Sequence, residues 1–123
     1  MPITEMYFND GILFVREQGR IEKQDAKRFA EQILHCASKH SGPIAAVIDA
    51  LEVNYISTDA RKIFVRASTL PNFSFSAVAA RDAITAQTAR VIGSMSQDGH
   101  TYIFPTLEDA WDYALSRIKS ARV

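Results

Sequence analysis

The stretch VIDALEVNYISTDARKIF, Val47 to Phe64, decides the fold because it joins a strand to a helix through one short connection. Ile44 to Ile48 is an unbroken run of small and β-branched apolar residues, the composition of a strand covered on both faces. The strand is expected to end at Asp49, a loop to follow, and a helix to open at Ser57-Thr58-Asp59. Ser57 has an N-cap side chain, and Asp59 carries a carboxylate that the helix dipole favours in a first turn. Ala60, Ile63, Phe64, Ala67 and Leu70 then line one side of a helix that Pro71-Asn72 ends.

Upstream, Ile3 to Phe8 and Ile12 to Val15 flank Asn9-Asp10-Gly11, whose Asn and Gly tolerate positive φ, so a β-hairpin leads the chain. From Lys23 to His40, Ala26, Phe29, Ala30, Ile33 and Ala37 share a helical face, and Gly42-Pro43 closes that helix. Phe73 to Ala80 is the next strand, and a third helix is expected from Asp82 to Met95. Thr101 to Phe104 is the last strand. Thr106 caps a final helix whose Leu107, Ala110, Trp111, Ala114 and Ile118 form an apolar stripe. The order is ββαβαβαβα. Strands separated by helix-length segments are parallel with right-handed crossovers, which predicts one α/β domain over residues 1–123, with a mostly parallel sheet, a lead hairpin and four helices.

Composition narrows the function classes. Fourteen basic residues balance fourteen acidic ones, so no net field recruits nucleic acid. The lone Cys36 forms no intrachain disulfide and fits a reducing cytoplasm, where it is expected to be a small buried hydrophobe. No apolar run is long enough to span a membrane, and MPITEMYFND has no signal-peptide character. A cytoplasmic protein is expected.

Catalytic signatures are missing. The sequence holds no GxGxxG, GxxxxGK[ST] or GxSxG. His35, Cys36 and His40 fall short of a zinc set, and no metal or cofactor is expected. His100 has no recognisable partner. A binding role is expected instead. Thr58, Arg61, Lys62, Val65 and Thr69 share the outward face of the second helix, with Val65 an apolar residue among cations and hydroxyls. Asp49, Ser57, Thr58, Asp59, Arg61, Lys62 and Val65 therefore form the candidate surface for a protein partner, and Ser57 and Thr58 are candidate phosphorylation sites. Tyr55, Phe64, Phe73 and Phe75 cluster in sequence and raise the alternative of a pocket for an apolar small molecule. Ala86, Ala89 and Gly93 form a small-residue side on the third helix that would admit a second copy in a homodimer.

The whole chain resembles the STAS family, the domain of bacterial anti-sigma factor antagonists, and especially a divergent branch discussed with lipid-binding Sec14-type domains. In the STAS pattern a strand ends in Asp or Asn, a loop carries a branched apolar residue and an aromatic, and Asp-Ser-Ser-Gly opens a helix. Asp49 resembles the strand-end acid, Val53 the branched residue and Tyr55-Ile56 the apolar pair. Ser57 falls on the family's Asp, Thr58 on its first Ser, Asp59 on the second Ser, and Ala60 on the Gly. The resemblance implies a non-catalytic regulatory module whose partner is an anti-sigma factor or kinase-like regulator. It also implies that the family's phosphoacceptor is replaced by the carboxylate of Asp59, or lies at Thr58 if the pairing slips by one residue. The Sec14-like relatives imply a small-molecule or lipid carrier as the alternative.

Overall fold

A computed structural model describes residues 3–81, 87 and 100–121. The hairpin comes first, β1 (Ile3–Asn9) and β2 (Ile12–Ile21). Then follow α1 (Lys23–Lys39), β3 (Ile44–Ile56), α2 (Thr58–Ala67), β4 (Phe73–Ala79), β5 (His100–Phe104) and α3 (Leu107–Ala121). The described residues form an α/β domain whose five strands lie in the order β1-β2-β3-β4-β5. The β1–β2 pair is antiparallel, and the three later pairs are parallel. Three helices fall among the described residues. Of the helix expected from Asp82 to Met95 only Gln87 is described, and it is helical; Ala86, Ala89 and Gly93 lie outside the described residues.

The hairpin turns where Asp10 and Gly11 both take positive φ, 56° and 86°, the conformation that matches a tight turn to the twist of its strands. Glu22 N–H donates to Asp25 Oδ2 at 2.9 Å and the Glu22 side chain accepts in return, a capping box that starts α1. Thr106 Oγ1 accepts from Asp109 N–H at 3.1 Å, so the final helix begins where its hydroxyl cap predicts. Ala110, Ala114 and Ile118 of that helix are buried, with Leu107 and Trp111 packed beside them.

Two strands are longer than the sequence reading has them, and the longer β3 is a correction. Asp49 does not end the strand. β3 runs on to Ile56, so the segment between Asp49 and Ser57 is not a loop. The physical reason is a long neighbour: β2 also continues past Val15, and Gln18, Gly19, Arg20 and Ile21 pair with Glu52, Val53, Tyr55 and Ile56. Polar residues at 52 and 54 look loop-like, but they are exposed on a strand whose Ala50 and Val53 are buried. The pairing advances from Arg16↔Asp49 to Gln18↔Glu52, an extra residue on β3, and shifts again after Gly19, whose φ is 68°.

The sheet separates two cores. Leu13, Val15, Ile44 and Ala46 pack under α1 and α2 with Phe29, Ile33, Cys36 and Ala67. Ile12, Phe14, Val47, Phe75 and Ala77 pack against α3. Phe14 stacks on Trp111 with centroids 5.5 Å apart, and Phe29 meets Phe64 edge-on at 5.5 Å. Cys36 is buried as expected, and burial pushes its thiol up.

Candidate functional site

The Ser57 cap forms as its residue type predicts. Its hydroxyl accepts from Ala60 N–H at 3.1 Å, and its own N–H donates to Ile21 carbonyl at 2.9 Å, pinning the start of α2 to the end of β2. Thr58 and Asp59 are exposed in the first turn, and Lys62 is exposed a turn later. Arg61 is half-buried and donates from Nε to Ile56 carbonyl at 3.2 Å, so its charge is folded back onto the strand end. Val65 is half-buried rather than fully turned out.

Asp49 stands apart from this group. It is 9% exposed and takes a hydrogen bond from Arg16 Nε to Oδ2 at 2.9 Å and one from Leu51 N–H to Oδ1 at 3.2 Å. The Arg16 guanidinium lies 5.4 Å over the Phe14 ring, on the α3 side of the sheet. Ser57, Thr58 and Asp59 belong to α2 on the opposite side. The sheet thus divides the expected surface in two.

What lies beside Asp59 and Lys62 is a groove between α1 and α2 with a volume of about 660 Å³. Lys23, Lys27, Lys62 and Arg66 supply four cations to it, against Glu31 and Asp59. Ala30, Leu34, Ile63 and Leu70 form its apolar floor, and Leu34 is 56% exposed. The outward face expected for α2 therefore turns about the helix by part of a turn: Asp59, Lys62, Ile63 and Arg66 meet the groove, and Thr58, Arg61 and Val65 do not.

The four aromatics close in sequence do not assemble. Tyr55 is 39% exposed beneath the Arg20 guanidinium, 4.1 Å from its ring centroid, and Phe75 packs against Tyr113 on the α3 side. Phe64 and Phe73 do come together. With Phe29, Ile48, Ala50, Val53 and Val78 they line a cavity of about 60 Å³ between the sheet and the α1–α2 layer.

Glu17 also lines this cavity, and the sequence reading missed it. It is 4% exposed, and burial, with the nearby Asp25 carboxylate adding to it, pushes its carboxyl up to about 8. No side-chain hydrogen bond or ion pair joins it to another described residue, and its carboxyl oxygens are not wholly shut off from the cavity and solvent. The signal was available: Leu13, Val15 and Ile21 are inward positions of β2, and continuing their alternation places Glu17 on the same face. Among the described residues, no three His, Cys, Asp or Glu side chains converge as a metal site would require. His40 packs edge-on against Phe8 with centroids 5.7 Å apart.

Among the described residues no helix is long and apolar enough to cross a membrane. No family model matches the chain, and no curated protein matches it significantly. Solved structures do match. An uncharacterized protein of the DUF3478 family with a SpoIIAA-like fold, from Shewanella loihica PV-4, shares 18% identity over 91% of each chain with a TM-score of 0.66. An anti-sigma factor antagonist from Mycobacterium paratuberculosis shares 24% identity over 92% of this chain and 94% of that one, with a TM-score of 0.63. The chain has the SpoIIAA-like, STAS-like fold that its resemblance implied.

Proposed function

We propose that this STAS-like domain is a non-catalytic regulatory module that docks a protein partner in the groove between α1 and α2. The observation that carries the reading is the composition of that groove, four cations around an apolar floor that includes the exposed Leu34. An acidic amphipathic helix suits it, with apolar residues on Leu34, Ile63 and Leu70 and carboxylates toward Lys23, Lys27, Lys62 and Arg66. The similarity of fold to an anti-sigma factor antagonist supports a partner of the anti-sigma or kinase-like regulatory class.

Asp59 borders this groove in the first turn of α2. Its position on the resemblance is that of the family's acceptor serine, and its carboxylate supplies a fixed negative charge there. Thr58 beside it is exposed and open to a kinase, whereas the Ser57 hydroxyl is engaged as the helix cap. The test is binding of a reconstituted candidate partner, measured by calorimetry with native protein and with Lys62→Glu/Arg66→Glu. Charge reversal is expected to weaken binding at least tenfold and to reduce its salt dependence; equal affinity for both proteins would overturn the reading.

A second reading, a site for a small apolar molecule, is favoured by the cavity beneath α2. Native mass spectrometry of gently purified protein checks it. A co-purifying small mass that is lost on denaturation is expected, and its absence counts against a resident ligand.

A further inference from the structure

Among the described residues, the walls of the cavity under α2 are apolar except for Glu17, Ser68, Ser76 and Thr101. Of these, Glu17 is the group whose burial is hardest to account for. A valine or leucine would continue the inward series of Leu13 and Val15 and would fill the space. A carboxyl there, 4% exposed and joined by no side-chain hydrogen bond or ion pair to another described residue, leaves its charge to be met by whatever enters the cavity. An ionised carboxylate in apolar surroundings is strongly disfavoured unless an opposite charge accompanies it. The second carboxylate nearby, Asp25, adds negative potential at the same place. That potential selects against an anion and in favour of a cation.

We propose that this cavity is a binding site for a small, mostly apolar molecule carrying one basic nitrogen, with Glu17 as its counter-charge. The inference rests on the small-molecule reading of the cavity and is independent of the groove between the helices. Phe29, Phe64 and Phe73 enclose the hydrocarbon part, and the ammonium group sits against the Glu17 carboxylate, with Ser76 as a neighbouring hydroxyl. The size of the ligand follows from the space. A cavity of ~150 Å³ holds benzene, so about 60 Å³ takes an alkyl group of roughly two carbons. A short aliphatic amine is the matching class.

The experiment titrates the 123-residue protein with ethylamine, ethanol and acetate at constant ionic strength. Backbone amide shifts of Ala50, Val53 and Val78 and the side-chain carboxyl ¹³C shift of Glu17 are followed by NMR. Ethylamine is expected to give saturable shifts at those amides and to bring the Glu17 carboxyl into its ionised form at neutral pH. Ethanol should bind at least tenfold more weakly, and acetate not at all. Glu17→Gln removes the charge without changing shape, and should lose at least tenfold in amine affinity while keeping its dispersed spectrum. Ala50→Leu fills the cavity and should abolish binding.

Ethanol binding as well as ethylamine, or undiminished amine binding by Glu17→Gln, overturns the assignment to a basic nitrogen and leaves the small-molecule reading standing. Absence of saturable shifts with any of the probes removes both. Amine binding unchanged by Ala50→Leu places the site elsewhere and overturns the proposal.

Discussion

Arg16 and Asp49 are register partners on the adjacent parallel strands β2 and β3, and their side chains are joined by a 2.9 Å bond from Nε to Oδ2. The same guanidinium reaches Glu5 Oε1 on β1 at 3.0 Å, so one arginine ties three neighbouring strands together at the point where the β2–β3 register begins to shift. Asp49 is the more buried partner and also holds Leu51 N–H. Asp49→Ala is therefore expected to cost about 1–3 kcal/mol, since it strands two donors. Arg16→Ala should cost less, because its side chain is more open to water. A double-mutant cycle in urea measures the coupling; strictly additive losses would show that the pair is not an energetic unit.

Glu17 makes stability depend on pH in an unusual direction. Its carboxyl ionises near 8 in the folded protein, against 4.5 when unperturbed. Between those values the unfolded chain releases the proton and the folded chain keeps it. The stabilising difference is complete below about pH 4.5 and is lost as pH rises through 8. Its slope approaches ~1.4 kcal/mol per pH unit within that window. Urea unfolding from pH 5 to 9 should show the decline, and Glu17→Gln should flatten it. A Glu17→Gln profile parallel to the native one would mean that the decline comes from other groups.

Ser57→Ala removes the acceptor for Ala60 N–H while leaving the backbone bond to Ile21 in place. The expected cost is ~1 kcal/mol, with Ser57→Asp close to native because Asp caps as well as Ser. Thermal melts followed by circular dichroism compare the three proteins. A larger loss for Ser57→Asp than for Ser57→Ala would count against the capping role.

Gly19 takes φ 68° within β2 and has open space where a Cβ would be built. Gly19→Ala should thus be costly for conformation alone, by about 1–2 kcal/mol, and Gly19→Asn less so, since Asn tolerates that region better. Denaturant midpoints of the three proteins provide the check.

Much of the fold was legible because periodicity speaks directly about burial. The alternation at Leu13 and Val15, the apolar run Ile44 to Ile48, and the α3 stripe at Ala110, Ala114 and Ile118 all become core. Strand length was not legible. Whether residues 50–56 form strand or loop depends on whether a neighbour offers a ladder of hydrogen bonds, and that neighbour, Gln18 to Ile21, carries an exposed glutamine and arginine with a glycine between them.

The candidate site suffered more from this than the fold did. Ending β3 at Asp49 placed its carboxylate in a loop leading to Ser57, when continuing the strand assigns it by alternation to the α3 side. Ending β2 at Val15 hid Glu17 for the same reason. Residues such as Arg66 and Lys27 were out of reach in another way: they meet only when α1 and α2 pack, and a helical wheel describes one helix at a time.

The order of the described strands, β1-β2-β3-β4-β5, follows the order of the chain, so none of them has to wait for its seat to be formed by a strand from farther along. Emerging from a ribosome, the hairpin is complete before α1 exists, and each later strand finds its seat already formed by the one before it. Loop closure at every step spans a single crossover, which keeps the search short compared with a sheet whose middle strand arrives last. Synthesis and assembly can thus proceed in step, with α3 the last described helix to close over the Phe14 face.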